Sequence, residues 1–463
     1  MKYLENKVEN IQIAYIGGGS RGWALGLMSD LAAQPCLSGT VRLYDIDAHA
    51  AHTNEIIGNK INELKNVKSH WHYTLVNSLE EALTGADFIV VSILPGTFKE
   101  MHSDVHTPEK YGIYQAVGDT VGPGGCIRAL RTIPMYQEIA LAIKAHSPNA
   151  WVINYTNPMS ICVKTLYEVF PQIKAFGCCH EVFGTQKVLA SMLGEMEGIK
   201  DVVRQDIKIN VLGINHFTWI NEATYKGKDL FPMYQEFVDK FYETGFEEDD
   251  KDHWMNNSFS SAQRVKFDLF RRFGLIAAAG DRHLAEAVNG NWYVKDPQTV
   301  ASWKFGLTTV DWRINDLATR LERSSRLANG EETFELKETG EEGILQIKAL
   351  LGLEDLVTNV NIPNTGQIPN LPLGSIVETN ALFRRDRVEP IMAGNIPHPV
   401  YGMVATHISN QETIVQAALT GNKKLAFSAF VNDPLVTLPY REAEALFEEM
   451  LENTKDYLPE AFR

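Results

Sequence analysis

The chain has 463 residues, of which 44% are hydrophobic and 10% aromatic, and its formal net charge is −15. This length and composition predict one or two large globular domains and exclude an intrinsically disordered chain. The acidic balance argues against nucleic acid or an anionic membrane as a partner, because both attract basic surfaces. A small acidic substrate stays open, since a metal ion and one arginine can reverse the local field.

The first ten residues are polar and carry no apolar run of the signal-peptide type. No stretch approaches the ~18 uninterrupted apolar residues of a membrane span. The odd number and irregular spacing of the cysteines are typical of a reducing compartment. These features predict a cytoplasmic protein with five reduced cysteines, Cys36, Cys126, Cys162, Cys178 and Cys179.

The first 200 residues alternate continuous apolar runs with amphipathic stretches. Helices are predicted at residues 21–33 and after Ser78, which has capping-box spacing with Glu81. Continuous apolar strands that alternate with helices indicate a parallel sheet covered on both faces. We therefore predict a doubly wound α/β domain over residues 1–200, with strands at residues 11–16, 41–44, 88–94, 151–155 and 173–179.

The second half has a different pattern. Strands are predicted at residues 206–214 and around Thr224, and residues 329–342 are predicted to be an exposed loop or strand edge. Residues 201–463 are predicted to form an α+β domain, and this second domain is expected to carry the substrate, metal and oligomer contacts. Because no Pro/Ser-rich linker separates the two domains, the second is predicted to pack closely on the first. Its predicted helices are 256–273, 310–327, 411–421 with Gly421 as C-cap, and 440–453.

A glycine-rich loop follows the first apolar strand and fits the pattern G-x-G-x-x-G where a helix begins. Such glycines let the backbone approach a pyrophosphate, and the helix N-terminus attracts its negative charge. The second strand ends at Asp45, whose carboxylate would accept from ribose hydroxyls and repel a 2′-phosphate, which favours NAD over NADP. The alternative is a plain turn with a surface Asp. The loop residues predicted to bind the dinucleotide are Gly17, Gly19, Ser20, Arg21 and Gly22.

Other polar groups follow later strands. The loop GDTVGPGG (residues 118–125) fits a surface loop as well as a substrate clamp, and Asn154 lies where an amide could bind a sugar hydroxyl. Cys179 and His216 also follow strands, but a buried Cys and a lone His are usually structural. If both bound a metal, two ligands with open positions would suit a catalytic ion.

In combination these segments resemble glycoside hydrolase family 4, the NAD- and manganese-dependent glycosidases, over nearly the whole chain. Related dinucleotide domains, such as those of lactate and malate dehydrogenases, lack the Cys and Asn-His elements. The matching segments are the glycine loop, GDTVGPGG with RALRTIP (118–134), NYTNP (154–158), CHEV (179–182), GINHF (213–217), GDRHLAE (280–286), NIPHP (395–399) and VNDPLV (431–436).

The resemblance implies an unusual hydrolysis. Most glycosidases place two carboxylates across the scissile bond, and this family is an exception. NAD would oxidise the sugar at C3, and a metal held by Cys179, His216 and substrate oxygens would polarise the new carbonyl. A base would then remove the C2 proton, the glycosidic oxygen would leave, water would add, and the hydride would return.

The resemblance also implies roles for single residues. Asp119 and Asn154 match positions near the sugar. The residue after the metal Cys is Asp in the phospho-sugar members but His180 here, so His180 is predicted to be the general acid, with Glu181 second. Asp281 is predicted to be the base.

Three weaker candidates in the same region are His283, Tyr293 and Arg282. Arg282 is also predicted to bind a substrate carboxylate as a bidentate partner.

The CHEV segment resembles the α-galacturonidase subgroup of the family. A small α-galacturonide is therefore the predicted substrate, and a homodimer or homotetramer is predicted. An α-glucosidase or α-glucuronidase of the same family is the nearest alternative. Outside the family, the alternatives are an NAD-dependent 2-hydroxy-acid dehydrogenase, which needs no metal, and a non-catalytic NAD-sensing protein.

Overall fold

A computed structural model describes residues 1–247, 255 and 259–463. The strands are β1 (Lys2–Tyr3), β2 (Val8–Ile16), β3 (Leu37–Tyr44), β4 (Trp71–Leu75), β5 (Phe88–Val91), β6 (Trp151–Asn154), β7 (Lys174–Gly177), β8 (Ile207–Ile214), β9 (Phe217–Tyr225), β10 (Lys228–Asp229), β11 (Ile276–Ala277), β12 (Leu356–Pro363), β13 (Ile376–Arg384) and β14 (Arg387–Pro390).

The helices are α1 (Trp23–Ala32), α2 (Ala48–Ile61), α3 (Leu79–Leu83), α4 (Phe98–His106), α5 (Gly122–His146), α6 (Met159–Val169), α7 (Glu181–Glu197), α8 (Phe231–Phe241), α9 (Arg264–Phe273), α10 (Asp281–Glu286), α11 (Gly290–Tyr293), α12 (Pro297–Ser302), α13 (Val310–Asn329), α14 (Gly343–Leu350), α15 (His398–Thr420), α16 (Lys423–Val431) and α17 (Tyr440–Thr454). Among the described residues, no helix combines the length and apolar character needed to cross a bilayer.

The predicted doubly wound sheet is confirmed. Its parallel part has the order β4-β3-β2-β5-β6-β7, and all of these neighbours pair in parallel. This is the strand order 3-2-1-4-5-6 of the Rossmann-type dinucleotide-binding fold. Every residue of β5 is buried, as expected for a strand covered by helices on both faces.

The second half of the chain is joined to the first through this same sheet. Strand β12 pairs antiparallel with β7, and β13 and β14 extend the sheet beyond it. These three strands are not predicted from the sequence. A second, antiparallel sheet contains β8–β11, with β9 paired to each of the others. The division of the chain near residue 200 stays a prediction.

Most predicted elements are found, with shifted ends. The Ser78 side chain caps α3 by accepting from the Glu81 N–H, and Gly421 ends α15 with a φ of 66°. The helix predicted at 256–273 begins only at Arg264, and residues 256–258 lie outside the described residues. Residues 333–341 have no regular secondary structure, but they lie against α1, where Ser29 and Asp30 accept from their backbone.

A buried ion pair links α4 to α5. The Arg131 guanidinium donates to both carboxylate oxygens of Asp104, at 3.0 and 2.5 Å, and both side chains are almost wholly inaccessible to solvent. Removing one partner leaves an uncompensated charge in the interior, whereas replacing both by apolar groups removes the problem.

We therefore expect Arg131→Met to lower the free energy of unfolding by roughly 3–5 kcal/mol. The double variant Arg131→Met, Asp104→Leu should recover much of that loss. Denaturant unfolding of the wild type, both single variants and the double variant measures the coupling. If the double variant loses as much free energy of unfolding as the two single variants together, the pair does not act as a unit.

Candidate active site

The glycine loop between β2 and α1 requires glycine for steric reasons. Gly17 has a φ of +92°, and a Cβ there would lie 1.9 Å from the carbonyl oxygen of Ser92. At Gly19 a Cβ would lie 2.6 Å from the Cβ of Ala50. Glycine therefore lets the loop pack closely against the chain after β5 and against α2, as the tight turn of a dinucleotide-binding loop requires.

Asp45 lies at the end of β3, beside this loop. Its carboxylate accepts from the Gly19 N–H at 2.9 Å and from the Asp47 N–H at 2.9 Å. Arg21 reaches the carboxylate of Asp47 at 3.8 Å, and the Asn54 amide donates to two carbonyl groups of the loop. The predicted dinucleotide residues are thus brought together at the carboxyl ends of β2 and β3, where such a ligand binds in this fold.

A group of three metal-type ligands lies beyond the parallel strands. One donor atom from each of Asp119, His216 and His283 lies within 4.8 Å of the other two. The rings of His216 and His283 stack with their centroids 3.8 Å apart, and Thr120 Oγ1 is 2.9 Å from His216 Nδ1. Of these three residues, only His216 is predicted as a ligand from the sequence, where Asp119 is expected to bind substrate and His283 is a weak catalytic candidate.

The electrostatics of this group favour a cation. Burial lowers the pKa of His216 to about 3 and also lowers that of His283, so both imidazoles are neutral and free to donate a lone pair. Burial raises the pKa of Asp119, but His283, Arg128 and His216 outweigh it and hold that carboxyl well below its usual value. One carboxylate and two neutral imidazoles form a donor set that fits a divalent ion.

Cys179, the other predicted ligand, lies just beyond the end of β7. Burial raises the pKa of its thiol well above the ordinary value, and the neighbouring carboxylates of Glu378 and Glu181 act in the same direction. The thiol also interacts with the side chain of Asn215, the residue before His216. Cys179 does not belong to the group of three, and its role as a ligand stays a prediction.

The two predicted acids follow Cys179. The half-exposed His180 ring meets the Glu341 carboxylate at 2.8 Å, and this hydrogen bond raises the pKa of His180. Glu181 is less exposed and accepts from the Gly280 N–H at 2.6 Å. Burial raises its pKa, but His283 and the other two histidines nearby lower it to about 2. His180 is therefore better suited than Glu181 to hold a proton near neutral pH.

Asn154 and Asn157, the two amides of the NYTNP segment, have different surroundings. Asn154 is fully buried and binds Thr156 and the Tyr136 hydroxyl, so it stabilises the turn after β6. The Asn157 amide donates to the Asp119 carboxylate at 3.2 Å, and its Oδ1 is buried without a hydrogen-bond partner among the described residues. Asn157, which the sequence analysis did not select, is thus the amide in contact with the group of three.

Asp281 caps a helix in this structure. It is 0% exposed, and its two oxygens accept from the N–H groups of Val265 and Lys266 at the start of α9. Burial raises its pKa. The weaker candidate Tyr293 is also buried, and its hydroxyl donates to Asp268 at 2.5 Å. The role of Asp281 as the base stays a prediction, and the contacts described here are those of a helix cap.

Arg282 joins two loops beside the group of three. Its guanidinium donates to the Ala116 carbonyl at 2.7 Å and to the Thr308 hydroxyl. Glu286, at the other end of α10, accepts hydrogen bonds from the Val117 and Gly118 N–H groups. Burial raises the pKa of its carboxyl to about 8. Both residues therefore hold the loop that carries Asp119.

A cavity of about 430 Å³ lies next to these residues and is lined in part by His180, Glu181 and Gly280. Its other walls come from α7, from the start of α9 and from residues 339–341. Residues 339–341 belong to the stretch 329–342, which the sequence predicts to be an exposed loop or strand edge, so part of this stretch lines the cavity. Its volume suits one or two sugar rings.

The fold and this site define the class of the protein: an α/β enzyme with a dinucleotide-type loop, a divalent-ion-type ligand group and an adjoining cavity. Residues 12–195 match the family model for family 4 glycosyl hydrolases, and residues 211–436 match that for the C-terminal domain of the same family. The chain belongs to the family 4 glycosyl hydrolases.

Known proteins of similar sequence or fold align with this chain over nearly its whole length. An alpha-galacturonidase of Thermoanaerobacterium saccharolyticum is 66% identical, covering 99% of this chain and 98% of that protein. An alpha-galacturonidase of Bacillus subtilis is 53% identical, with 96% and 98% covered. A 6-phospho-alpha-glucosidase from gut microorganisms, solved in complex with NAD and Mn2+, has the same fold with a TM-score of 0.78 at 21% identity, covering 97% and 99%.

We expect His283→Ala to weaken Mn2+ binding at least about tenfold, because it removes one of three donors that lie together. Electron paramagnetic resonance of free Mn2+ during a titration measures the affinity. The control is His180→Ala, whose ring is half-exposed and lies outside the group. Cys179→Ala in the same titration tests the predicted thiolate ligand. Unchanged affinity in His283→Ala would contradict the assignment.

We expect Asp45→Ala to weaken NAD binding about tenfold or more, since a hydrogen bond to a charged group contributes roughly 1.5–3 kcal/mol. Calorimetric titration with NAD and NADP measures both affinities, and the preference for NAD should fall. Ser78→Ala is the matched control: this side chain caps α3, so its loss should lower thermal stability and leave the cofactor preference intact. If the preference for NAD over NADP is unchanged in Asp45→Ala, Asp45 does not bind the ribose.

Proposed function

We propose that this protein is an NAD- and manganese-dependent glycosidase that hydrolyses small α-linked galacturonides. The single observation that carries the reaction class is the group of Asp119, His216 and His283, in which His283 lies 3.7 Å from Glu181, a residue of the cavity wall. The relatives at 66% and 53% identity, both alpha-galacturonidases, support the choice of sugar.

The residues fit both cofactors. Gly17 and Gly19 allow the tight turn that a dinucleotide-binding loop uses, and Asp45 lies beside that loop, where a ribose would be bound. Asp119, His216 and His283 would hold the ion, with Cys179 as the further predicted ligand. When bound, NAD takes and returns a hydride and the ion withdraws electron density from a sugar oxygen.

The chain itself supplies the proton transfers. His180, whose pKa is raised by its hydrogen bond to Glu341, would donate a proton to the leaving glycosidic oxygen. Asn157 orients the Asp119 carboxylate, and Thr120 holds the His216 ring. Asp281 is the proposed base for the C2 proton of the sugar, which would require its carboxylate to release the N–H groups at the start of α9. We further propose a cytoplasmic homo-oligomer, a dimer or a tetramer.

We expect the enzyme to hydrolyse aryl α-galacturonide and to turn over the neutral α-galactoside and α-glucoside far more slowly. Chelation should abolish activity and Mn2+ should restore it. NAD should be needed at catalytic levels, with no net NADH formed.

Three results bear on this proposal separately. NADH equal to product would identify a dehydrogenase instead. Faster turnover of a neutral sugar would show that the substrate assignment is wrong, while the assignment of the reaction class would stand. In deuterated water the released sugar should carry deuterium at C2, and Asp281→Asn should slow its appearance if Asp281 is the base.

A further inference from the structure

The charged groups in the cavity wall are mostly compensated by one another. Glu341 pairs with His180, and Glu181 accepts from the Gly280 backbone. Arg204 meets Glu342 at 2.7 Å and stacks on the ring of Phe183. Lys187 is exposed, so water compensates its charge. The remaining cation in the described wall is Lys266.

Lys266 is buried near the start of α9, with only 2% of its surface exposed. Among the described residues, its ammonium makes a hydrogen bond only to Thr185 Oγ1, at 3.0 Å. An ammonium has three donors, so two of them find no acceptor there. Asp281 and Glu181 act on it electrostatically, but neither forms an ion pair with it, and burial lowers its pKa.

Such a charge is costly unless a partner arrives with the ligand. A buried ammonium without a carboxylate is unfavourable in the free protein. A ligand carboxylate would supply both the missing charge and the missing acceptors. A neutral hydroxymethyl group would supply an acceptor but no charge.

Arg282, the cation predicted from the sequence for this task, is less well placed. Its guanidinium already binds the Ala116 carbonyl and the Thr308 hydroxyl. It is not among the described residues that line the cavity, whereas Lys266 is. Its contacts hold together the loops around Asp119, so its substitution would disturb the site whichever sugar is bound.

We propose that Lys266 binds the C6 carboxylate of the substrate and thereby selects a uronide over the neutral sugar. The proposal rests on the proposed function, since it specifies which residue recognises the acid group. It places that carboxylate at the inner wall formed by α9 and α7, where Lys266 and Thr185 meet.

The test compares the wild type with Lys266→Met, which keeps the length of the side chain and removes the charge. The kcat/KM for aryl α-galacturonide should fall on the order of 100-fold, the loss expected for one charged pair. The kcat/KM for aryl α-galactoside should change much less. Calorimetric binding of free galacturonate, with NAD and Mn2+ present, should be lost in parallel, while binding of galactose should not.

Two further variants make the result decisive. Lys187→Met removes a cation from the exposed part of the same wall and should leave the uronide preference intact. Lys266→Arg retains a charge and should keep part of the preference for the uronide over the neutral sugar. This variant tests the assignment even if Lys266→Met fails to fold. Equal losses for both sugars, or no loss, in a folded Lys266→Met would overturn the assignment. A wild type inactive on the galacturonide would instead overturn the proposed function.

Discussion

Compensation of charge away from water is the constraint on which the rest of the site depends. Asp119 keeps its negative charge because Arg128 lies nearby and because the Thr120 hydroxyl and the Asn157 amide donate hydrogen bonds to its carboxylate. His216 and His283 stay neutral because burial opposes their protonation. The backbone contributes as well, since Glu286 is stabilised by two N–H groups of the loop that carries Asp119. Asp119, His216 and His283 are therefore held as a carboxylate and two neutral imidazoles, which are the ionisation states that metal ligands require.

The sheet brings these groups together at the ends of its strands. Parallel strands end at one edge of the sheet, so residues distant in the chain lie at the same edge: Asp45 follows β3 and Asn157 follows β6, with β2 and β5 between these two strands. The antiparallel hairpin β8–β9 supplies His216 in the same way, at its turn, with a φ of 63°. A residue with positive φ is costly in a turn, and its presence at a ligand position fits a site that fixes the ring direction.

Local patterns in the sequence predicted much of this. The glycine loop, Asp45 and the buried strands follow from spacing and apolar runs, because their reasons are local. Pairings between distant residues have no local signal. The grouping of His283 with Asp119 and His216 depends on how α10 packs, and the choice of Asn157 over Asn154 depends on which amide the turn buries. Strand β12 joins the main sheet through β7, which lies far away in the chain, so this pairing has no local signal. Strands β13 and β14 pair with their neighbours in the chain, but they are not predicted from the sequence.

The pairing of β7 with β12 has a consequence for synthesis. While the chain emerges from the ribosome, the dinucleotide-binding half is complete long before residues 356–390, which extend its sheet. Until then the apolar edge at β7 has no neighbour, and such an edge is the kind of surface on which nascent chains aggregate. The half that resembles an independent domain therefore reaches its final form only when almost the whole polypeptide has been made.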